Sequence, residues 1–259
     1  RDLGFRDKFA QQREIGSRHP HIVLVIEKES LSDVGIVAAR HCGVSWIVTG
    51  GVARLVTVEF FCAALQEIYQ GPVTAVDYGD FDIPPIGIER ALEVIEQGAA
   101  AIHAAGATPL VVGGDHSISL PLLRAAAKAH GPLALVQFDS HIDTWDDYFG
   151  GKYFHGSPFR RAVEEGLIRK GHFVQVGIRG PMYGEDEFDF HRAHGIRVVD
   201  IDGVKREGLD WTIDQMREVI DGPVYLTFDI DSVDPAYAPG VAHRHLAGWL
   251  CRRPAAHAL

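Results

Sequence analysis

The sequence predicts an α/β protein built on a mostly parallel sheet. Short apolar runs that suit buried strands alternate with longer stretches in which apolar residues recur at helical spacing. Three of the apolar runs are followed abruptly by Asp and His residues. In open α/β sheets, functional groups gather beyond the carboxyl ends of the strands, so the fold class and a site at the strand ends are predicted together.

The composition suits a single folded domain. The chain has 259 residues, of which 46% are hydrophobic and 23% are charged, and no Pro-, Gly- or Ser-rich linker divides it. We therefore expect one domain over residues 1–259. The formal net charge is −10 and no run of Lys and Arg is present, which argues against nucleic acid or an anionic membrane as a partner.

Cysteine usage and hydropathy predict a cellular compartment. The three cysteines are an odd number without metal-type spacing, which suits reduced and mostly buried thiols. No apolar stretch is long enough to cross a bilayer, and the first residues do not resemble a secretory signal. We therefore expect a cytoplasmic protein.

The N-terminal part of the sequence gives few clear signals. Strands are predicted over residues 22–26 and 73–77, whereas residues 42–61 follow neither the strand period nor the helix period for long. A helix that ends near Gly106 is predicted from apolar residues at three- and four-residue steps, namely Ile88, Ala91, Leu92, Ile95, Ala99 and Ile102.

The second half alternates strands and helices at a spacing typical of parallel β-α-β units. Strands are predicted over residues 109–112, 133–138, 172–178, 196–199 and 224–228. Helices are predicted over residues 120–130, 159–167, 185–194 and 211–220. In the helix over residues 159–167, Arg160 and Arg161 are expected to point outward.

Three predicted strand ends carry residues that can bind metal. All six candidate ligands follow an apolar run or the Gly-Gly turn after it, and they are His116, Asp139, His141, Asp143, Asp229 and Asp231. In extended backbone, the i, i+2, i+4 spacing from Asp139 to Asp143 places the three side chains on one side. The same reasoning applies to the pair Asp229 and Asp231.

This ligand set has a chemical preference. Carboxylates with imidazoles select Mn²⁺ or a similar ion over soft, thiolate-bound metals. Six ligands, of which two carboxylates can bridge, suit a pair of ions about 3.5–4 Å apart.

Each cluster taken alone has a simpler explanation. Asp115 could cap the helix that begins near Ser117, and Asp229 and Asp231 could be solvated carboxylates at a sheet edge. Three such clusters in order, each after an apolar run, favour the metal site.

The same segments resemble the three signature segments of the ureohydrolases, the family of arginase, agmatinase and related amidinohydrolases. They are GGDHS at residues 113–117, FDSHID at residues 138–143 and FDIDSVDP at residues 228–235. Supporting matches are DYGD at residues 77–80, HGSPFR at residues 155–160 and QVGIRG at residues 175–180. The resemblance runs from about residue 73 to residue 240.

The resemblance implies a three-layer α/β/α fold and two Mn²⁺ ions per chain that hydrolyse a guanidino compound to urea and an amine. It implies that one ion is held by His116, Asp139, Asp143 and Asp229, and the other by Asp139, His141, Asp229 and Asp231. Asp139 and Asp229 would bridge the ions. It also implies a homo-oligomer, a trimer or hexamer, that acts on a small cationic substrate. We favour agmatine or a guanidino acid over arginine, on the overall resemblance of residues 144–153.

The implied chemistry is physically consistent. A guanidinium carbon is a poor electrophile, because its charge is delocalised over three nitrogens, and a hydroxide that bridges two metal ions is a strong nucleophile at neutral pH. The amine must be protonated to leave, and an imidazole can carry that proton. By resemblance the catalytic candidate is His155, which could instead be a surface histidine of a loop. Other histidines, such as His172 and His191, are expected to be structural or exposed.

Both ends of the sequence depart from the family pattern. Residues 1–70 match poorly, and residues 44–61 do not match a Gly/Pro/Arg-rich loop at the substrate entrance. After Gly240 the sequence turns basic, and the Glu that binds the guanidinium in the family has no counterpart. We expect a fold truncated at its C-terminal end. We hypothesise that residues 241–259 are translated from a shifted frame, which resequencing the gene tests.

Two alternatives to an active amidinohydrolase stay open. A chain with the tail as written could bind metal without activity, because the carboxylate that pairs with the guanidinium is missing. A metal-dependent deacetylase on the same fold would need a single Zn²⁺ and fewer carboxylates. Metal content and urea release distinguish the three.

Overall fold

A computed structural model describes residues 21–25, 74–78, 80–182, 187–236, 238 and 248. The chain divides into two compact units, Arg1–Asp115 and His116–Leu259, and each contains a parallel sheet. The parallel strands confirm the predicted α/β class. The prediction of one domain stays a prediction. The expectations for residues 42–61 and for the tail after Gly240 lie outside the described residues, apart from Gly248.

The first unit contains a three-stranded sheet in the order β2-β1-β3. Its strands are β1 (His21–Val25), β2 (Thr74–Asp77) and β3 (Thr108–Val111), and both strand pairs are parallel. Helix α1 (Ile88–Ala104) buries the predicted apolar stripe at Leu92, Ile95, Ala99 and Ile102. The strands and the helix lie within two residues of their predicted bounds, and Gly or Pro lies close to most of their ends in the sequence.

The second unit contains a four-stranded parallel sheet in the order β6-β5-β4-β7. Its strands are β4 (Leu133–Phe138), β5 (Ile168–Ile178), β6 (Ile196–Asp200) and β7 (Val224–Phe228). Its helices are α2 (Ser119–His130), α3 (Pro158–Glu164), α4 (Glu187–His194), α5 (Ile201–Glu207) and α6 (Leu209–Arg217).

Helix α5 is absent from the sequence prediction. Asp200 is both the last residue of β6 and the N-cap of α5, where its carboxylate accepts from the Gly203 N–H at 2.6 Å. Strand and helix therefore meet without the Gly- or Pro-rich turn that would separate them in the sequence.

Helices cover both faces of the second sheet. On one face, the strand residues Val136, Val174 and Val176 form a core with Ile201, Val204 and Val219. On the other face, the ring of Phe173 contacts that of Phe159 in α3 with the centroids 5.7 Å apart. Since Phe173 and Val174 are neighbours in β5, they point to opposite faces, and the unit has three layers.

Arg161 does not point outward as predicted. The residue is only 5% exposed, and its guanidinium lies 2.5 Å from a carboxylate oxygen of Asp146. Burial of this charge is tolerated because it is paired. Among the described residues, no helix combines the length and apolarity that crossing a membrane requires.

Candidate metal centre

The structure brings all six predicted ligands together at the carboxyl ends of β4 and β7, which are neighbours in the sheet. The first group surrounds Nδ1 of His116. This atom lies 3.0 Å from Oδ2 of Asp139, 2.8 Å from Oδ2 of Asp143 and 3.6 Å from Oδ2 of Asp229. Three carboxylates therefore face one imidazole.

The second group surrounds His141. Its Nδ1 lies 3.0 Å from Oδ2 of Asp231 and 3.6 Å from Oδ1 of Asp139. Two sets of ligand atoms, each within 4.8 Å of one another, are suited to a metal ion: His116 with Asp139 and Asp229, and His141 with Asp139 and Asp231. Asp139 belongs to both sets, and its two oxygens face different histidines.

The local backbone differs from the prediction. Strand β4 ends at Phe138, and Asp143 has a left-handed φ of 48°, so the segment from Asp139 to Asp143 is not extended. Asp231 lies in a 3-10 helix, Ile230–Ser232, whose N-cap is Asp229. The expectation that extended backbone aligns these residues was wrong, because tight turns bring the side chains together instead.

Hydrogen bonds that the sequence did not predict hold the histidines and Asp231. Oγ1 of Thr227 in β7 lies 2.9 Å from Nε2 of His116. The Ser140 hydroxyl donates to Oδ1 of Asp231 at 2.8 Å and lies 3.0 Å from Nδ1 of His141. Both positioning residues stand within two positions of a candidate ligand, which is the one sequence signal that could have found them.

A glycine makes room for the second group. A Cβ atom added to Gly180 would lie 2.7 Å from Cδ2 of His141 and 2.9 Å from the Ser140 carbonyl oxygen. Since the carbonyl belongs to the backbone, the space cannot be opened by a side-chain rotation alone.

The charges of the cluster shift the pKa of most of its members. Burial opposes a charge on the histidines, but the adjacent carboxylates raise the pKa of His141 to about 10 and that of His116 well above its ordinary value. Burial, together with the charge of Asp139, raises the pKa of Asp143 to about 7 and that of Asp229 to about 6. For Asp139, burial is outweighed by its contacts with both histidines, which lower its pKa below the ordinary value.

The residues fit a divalent metal. Asp139, Asp143 and Asp231 are 0%, 6% and 7% exposed, and buried carboxylates at this density require positive charge. Nδ1 of His116 is buried and close to three carboxylates, yet among the described residues it makes no bond of hydrogen-bond geometry. Ligands around a shared cation approach one another in this way. The oxygen and imidazole donors suit Mn²⁺ and similar ions.

His155 lies outside this cluster of six. It is exposed, in the segment between β4 and α3, and its ring meets the ring of Phe154 edge to face at 5.7 Å. The two ligand sets found among the described residues do not include it. Its catalytic role, and the role of the six as metal ligands, stay predictions.

Comparison with known proteins gives relatives that align with 66–70% of the chain. The sequence model of the Arginase family matches residues 57–257. The guanidinopropionase of Pseudomonas aeruginosa is 45% identical over 174 residues, which are 66% of this chain and 54% of that protein. The proclavaminate amidinohydrolase of Streptomyces clavuligerus is 41% identical over 181 residues, which are 70% of this chain and 58% of that protein. The chain therefore spans little more than half the length of these curated relatives.

A solved structure has the same architecture. The proclavaminate amidino hydrolase from Streptomyces clavuligerus superposes with a TM-score of 0.67 at 34% identity, and the alignment covers 90% of this chain and 79% of that chain. This similarity confirms the three-layer α/β/α fold that the family resemblance implies.

Proposed function

Because the chain belongs to the arginase family, we propose that it hydrolyses a guanidino compound to urea and an amine with the help of two Mn²⁺ ions. The ions would be held by His116, Asp139, His141, Asp143, Asp229 and Asp231. The observation that carries the proposal is the pair of ligand sets that share Asp139. A shared carboxylate is what two adjacent ions require.

Each part of the cluster has a separate task in the proposed reaction. When bound, the two ions lower the pKa of water and so supply a nucleophile at neutral pH. The four carboxylates hold the ions and offset their positive charge, so that a cationic guanidinium is not repelled. His155, on the accessible segment before α3, would protonate the leaving amine.

The segment between β4 and α3 also suits the rest of the substrate. The ring of Trp145 stacks on that of Phe154 with centroids 6.4 Å apart, and Tyr148 meets Phe149 at 4.6 Å. Tyr148 and Phe149 are 54% and 94% exposed. Exposed rings can contact the methylene chain or the cationic group of an ω-guanidino compound. Together with relatives named guanidinopropionase, guanidinobutyrase and agmatinase, these rings support a guanidino acid or agmatine as the substrate.

The alternatives have less support. A single-zinc deacetylase would not need four carboxylates around two imidazoles, whereas the shared Asp139 suits two ions. A chain that binds metal without activity would have the same metal ligands as the proposed enzyme. Only the absence of urea would distinguish it. We also propose a homo-oligomer, which light scattering on purified protein would test.

The test is urea release by Mn²⁺-loaded protein from agmatine, guanidinobutyrate, guanidinopropionate and arginine, with metal content measured on the same sample. We expect urea from one of the first three and two Mn²⁺ per chain. An Asp229→Asn variant should release none, whereas Asp214→Asn, which removes an exposed carboxylate of α6, should behave as the parent does. Two metals without urea from any substrate would overturn the proposed activity, and one Zn²⁺ per chain would favour the deacetylase.

A further inference from the structure

A chain of buried polar side chains leads away from the candidate metal centre. Gln137 of β4 and Gln175 of β5 are paired in register and are both 0% exposed, and His191 of α4 is 2% exposed. None of the three is a candidate ligand. Burying amides and an imidazole is costly unless each is hydrogen-bonded, and similar apolar side chains would serve packing equally well. Their presence therefore calls for a role other than packing.

The direction of the hydrogen bonds in this chain is fixed by its surroundings. Nε2 of Gln137 faces the carboxylate of Asp139 at 2.7 Å and the carbonyl oxygen of His141 at 3.1 Å. Nε2 of Gln175 faces the carbonyl oxygen of Ile142 at 2.5 Å. Carbonyl and carboxylate oxygens only accept, so both amides must present N–H groups to them.

The remaining contacts follow from this orientation. Gln175 also donates to Oε1 of Gln137 at 2.8 Å, which leaves Oε1 of Gln175 facing Nε2 of His191 at 2.8 Å. An amide oxygen only accepts, so this contact is a hydrogen bond when Nε2 of His191 carries the proton. The other ring nitrogen, Nδ1, lies 3.0 Å from the carbonyl oxygen of Glu187 one turn earlier in α4, which also only accepts. Burial lowers the pKa of His191, so the neutral ring has one proton for these two acceptors. We place it on Nε2, because the α-helix pairs the Glu187 carbonyl with a backbone N–H. One donor of His191, of Gln175 and of Gln137 thus points along this series of side chains towards Asp139.

Each oxygen of the Asp139 carboxylate accepts a hydrogen bond and also faces a histidine. Oδ2 accepts from Gln137 and faces His116 at 3.0 Å, whereas Oδ1 accepts from the backbone N–H of His141 at 2.8 Å and faces the ring of His141 at 3.6 Å. The two donors fix the rotation of the carboxylate about its own axis. In that rotation each oxygen serves one of the two ligand sets.

We propose that Gln175 and His191 are positioning residues that act on Asp139 through the Gln137 amide. His191 fixes Gln175, Gln175 fixes Gln137, and Gln137 keeps Oδ2 of Asp139 aimed at the ligand set of His116. This inference rests on the proposed metal centre and deepens it. Partners that orient metal ligands typically change metal affinity by about 10- to 100-fold, so we expect an effect of that size from a residue that touches no ligand.

Single substitutions test each of these hydrogen-bonded side chains in turn, with the Mn²⁺ dissociation constant measured by calorimetry. Gln175→Met keeps the length of the side chain but removes the donor and acceptor, and it should weaken Mn²⁺ binding by about 10- to 100-fold. His191→Leu should do the same, whereas His191→Gln, whose amide can still donate, should restore most of the affinity. Gln215→Met is the matched control, because Gln215 lies in α6 and does not belong to this series of hydrogen-bonded side chains.

Non-additivity separates positioning from packing. If Gln175 acts through Gln137, the Gln137→Met/Gln175→Met double variant should bind Mn²⁺ no more weakly than Gln137→Met alone. A structural role would instead lower the melting temperature of the metal-free protein and give additive effects. A Gln175→Met affinity within twofold of the parent, or additive losses, would overturn the proposal.

A second measurement is made on the parent protein itself, so it does not depend on the stability of a variant. In metal-free parent protein with ¹⁵N-labelled histidine, the His191 signal, identified by its absence in His191→Gln, should show a protonated Nε2. An unprotonated Nε2 would overturn the proposed direction of the hydrogen bonds. Parent protein that binds Mn²⁺ but releases no urea would overturn the proposed function and leave the positioning role standing, whereas parent protein that binds no Mn²⁺ would overturn both.

Discussion

Nδ1 of His116 lies 2.8 Å from Oδ2 of Asp143, and the two side chains are only 8% and 9% exposed. The pKa values of both groups are raised, that of Asp143 to about 7. Without a metal, His116 and Asp143 therefore keep their protons to a higher pH than free side chains do. A divalent cation bound to the same atoms must displace those protons, so binding and pH are linked.

The linkage predicts how pH changes the stability of the metal-free protein. Folded-state pKa values are raised to about 6 for Asp229, about 7 for Asp143 and about 10 for His141. A raised value contributes stability that is complete below the unfolded-state pKa and is lost as pH rises through the folded-state pKa. Asp139, whose pKa is lowered, acts in the opposite sense, but only in acid. The metal-free protein should therefore become less stable as pH rises through these values.

Thermal unfolding with and without Mn²⁺ checks this expectation. The rise in melting temperature caused by Mn²⁺ should be larger at about pH 8.5 than at about pH 6, because fewer protons must be displaced. Equal ionic strength in all samples is the control. A metal-free protein that gains stability over this range would contradict the raised pKa values of the cluster, and an Mn²⁺ effect that shrinks with pH would contradict its assignment as a metal site.

Asp139→Asn should disturb both ligand sets at once. The substitution keeps the shape of the side chain but removes the charge that faces both His116 and His141. We expect Mn²⁺ affinity to fall by more than about 100-fold, since even indirect partners of ligands cost about 10- to 100-fold. Asp143→Asn, which touches only the His116 group, should weaken the binding of one ion more than that of the other. Calorimetric titration would show this as one lost binding step rather than two.

His155→Asn should separate catalysis from metal binding. If His155 carries a proton to the leaving amine, kcat should fall by about 10²- to 10⁴-fold while the Mn²⁺ content stays unchanged. His130→Asn, at the exposed C-terminal end of α2, is a suitable control because it removes a histidine away from the cluster. Parent-like kcat in His155→Asn would show that this histidine is only a surface residue of its loop.

The sequence predicted which residues are candidate ligands and at which strand ends they lie. It did not predict the backbone conformation of the segments that contain them. Apolar runs bounded by Gly and Pro mark the strands, and the residues after β4 and β7 differ so sharply from them that Asp139 and Asp229 stand out. The left-handed φ of Asp143 and the 3-10 turn at Asp231 leave no comparable signal. The 3-10 turn is held by Asp229, whose carboxylate accepts from the Asp231 N–H at 2.8 Å and whose carbonyl accepts from the Ser232 hydroxyl.

Long-range contacts explain what else was missed. Gln137 and Gln175 are 38 positions apart, and His191 is 16 positions beyond Gln175, so their hydrogen bonds follow from strand register and helix placement alone. His191 was expected to be structural or exposed, and its burial agrees with a structural role, but nothing in the sequence indicated its partners. Arg161 was expected to be exposed because Arg usually is, but its partner Asp146, 15 positions away, permits burial.

Gly180→Ala tests how tightly His141 is held. The new methyl group would press on the His141 ring at 2.7 Å and on the Ser140 carbonyl oxygen at 2.9 Å, so ring and backbone must both shift. Overpacking of this kind typically costs about 1–3 kcal/mol, and the displaced imidazole should weaken Mn²⁺ binding by about 10- to 100-fold. Gly151→Ala, whose Cβ would meet only the Tyr148 carbonyl oxygen at 3.3 Å, should leave binding unchanged. Measuring urea-induced unfolding without metal and Mn²⁺ affinity on the same samples separates the two effects. If both glycine variants bind Mn²⁺ as the parent does, the position of the His141 ring does not matter for the metal.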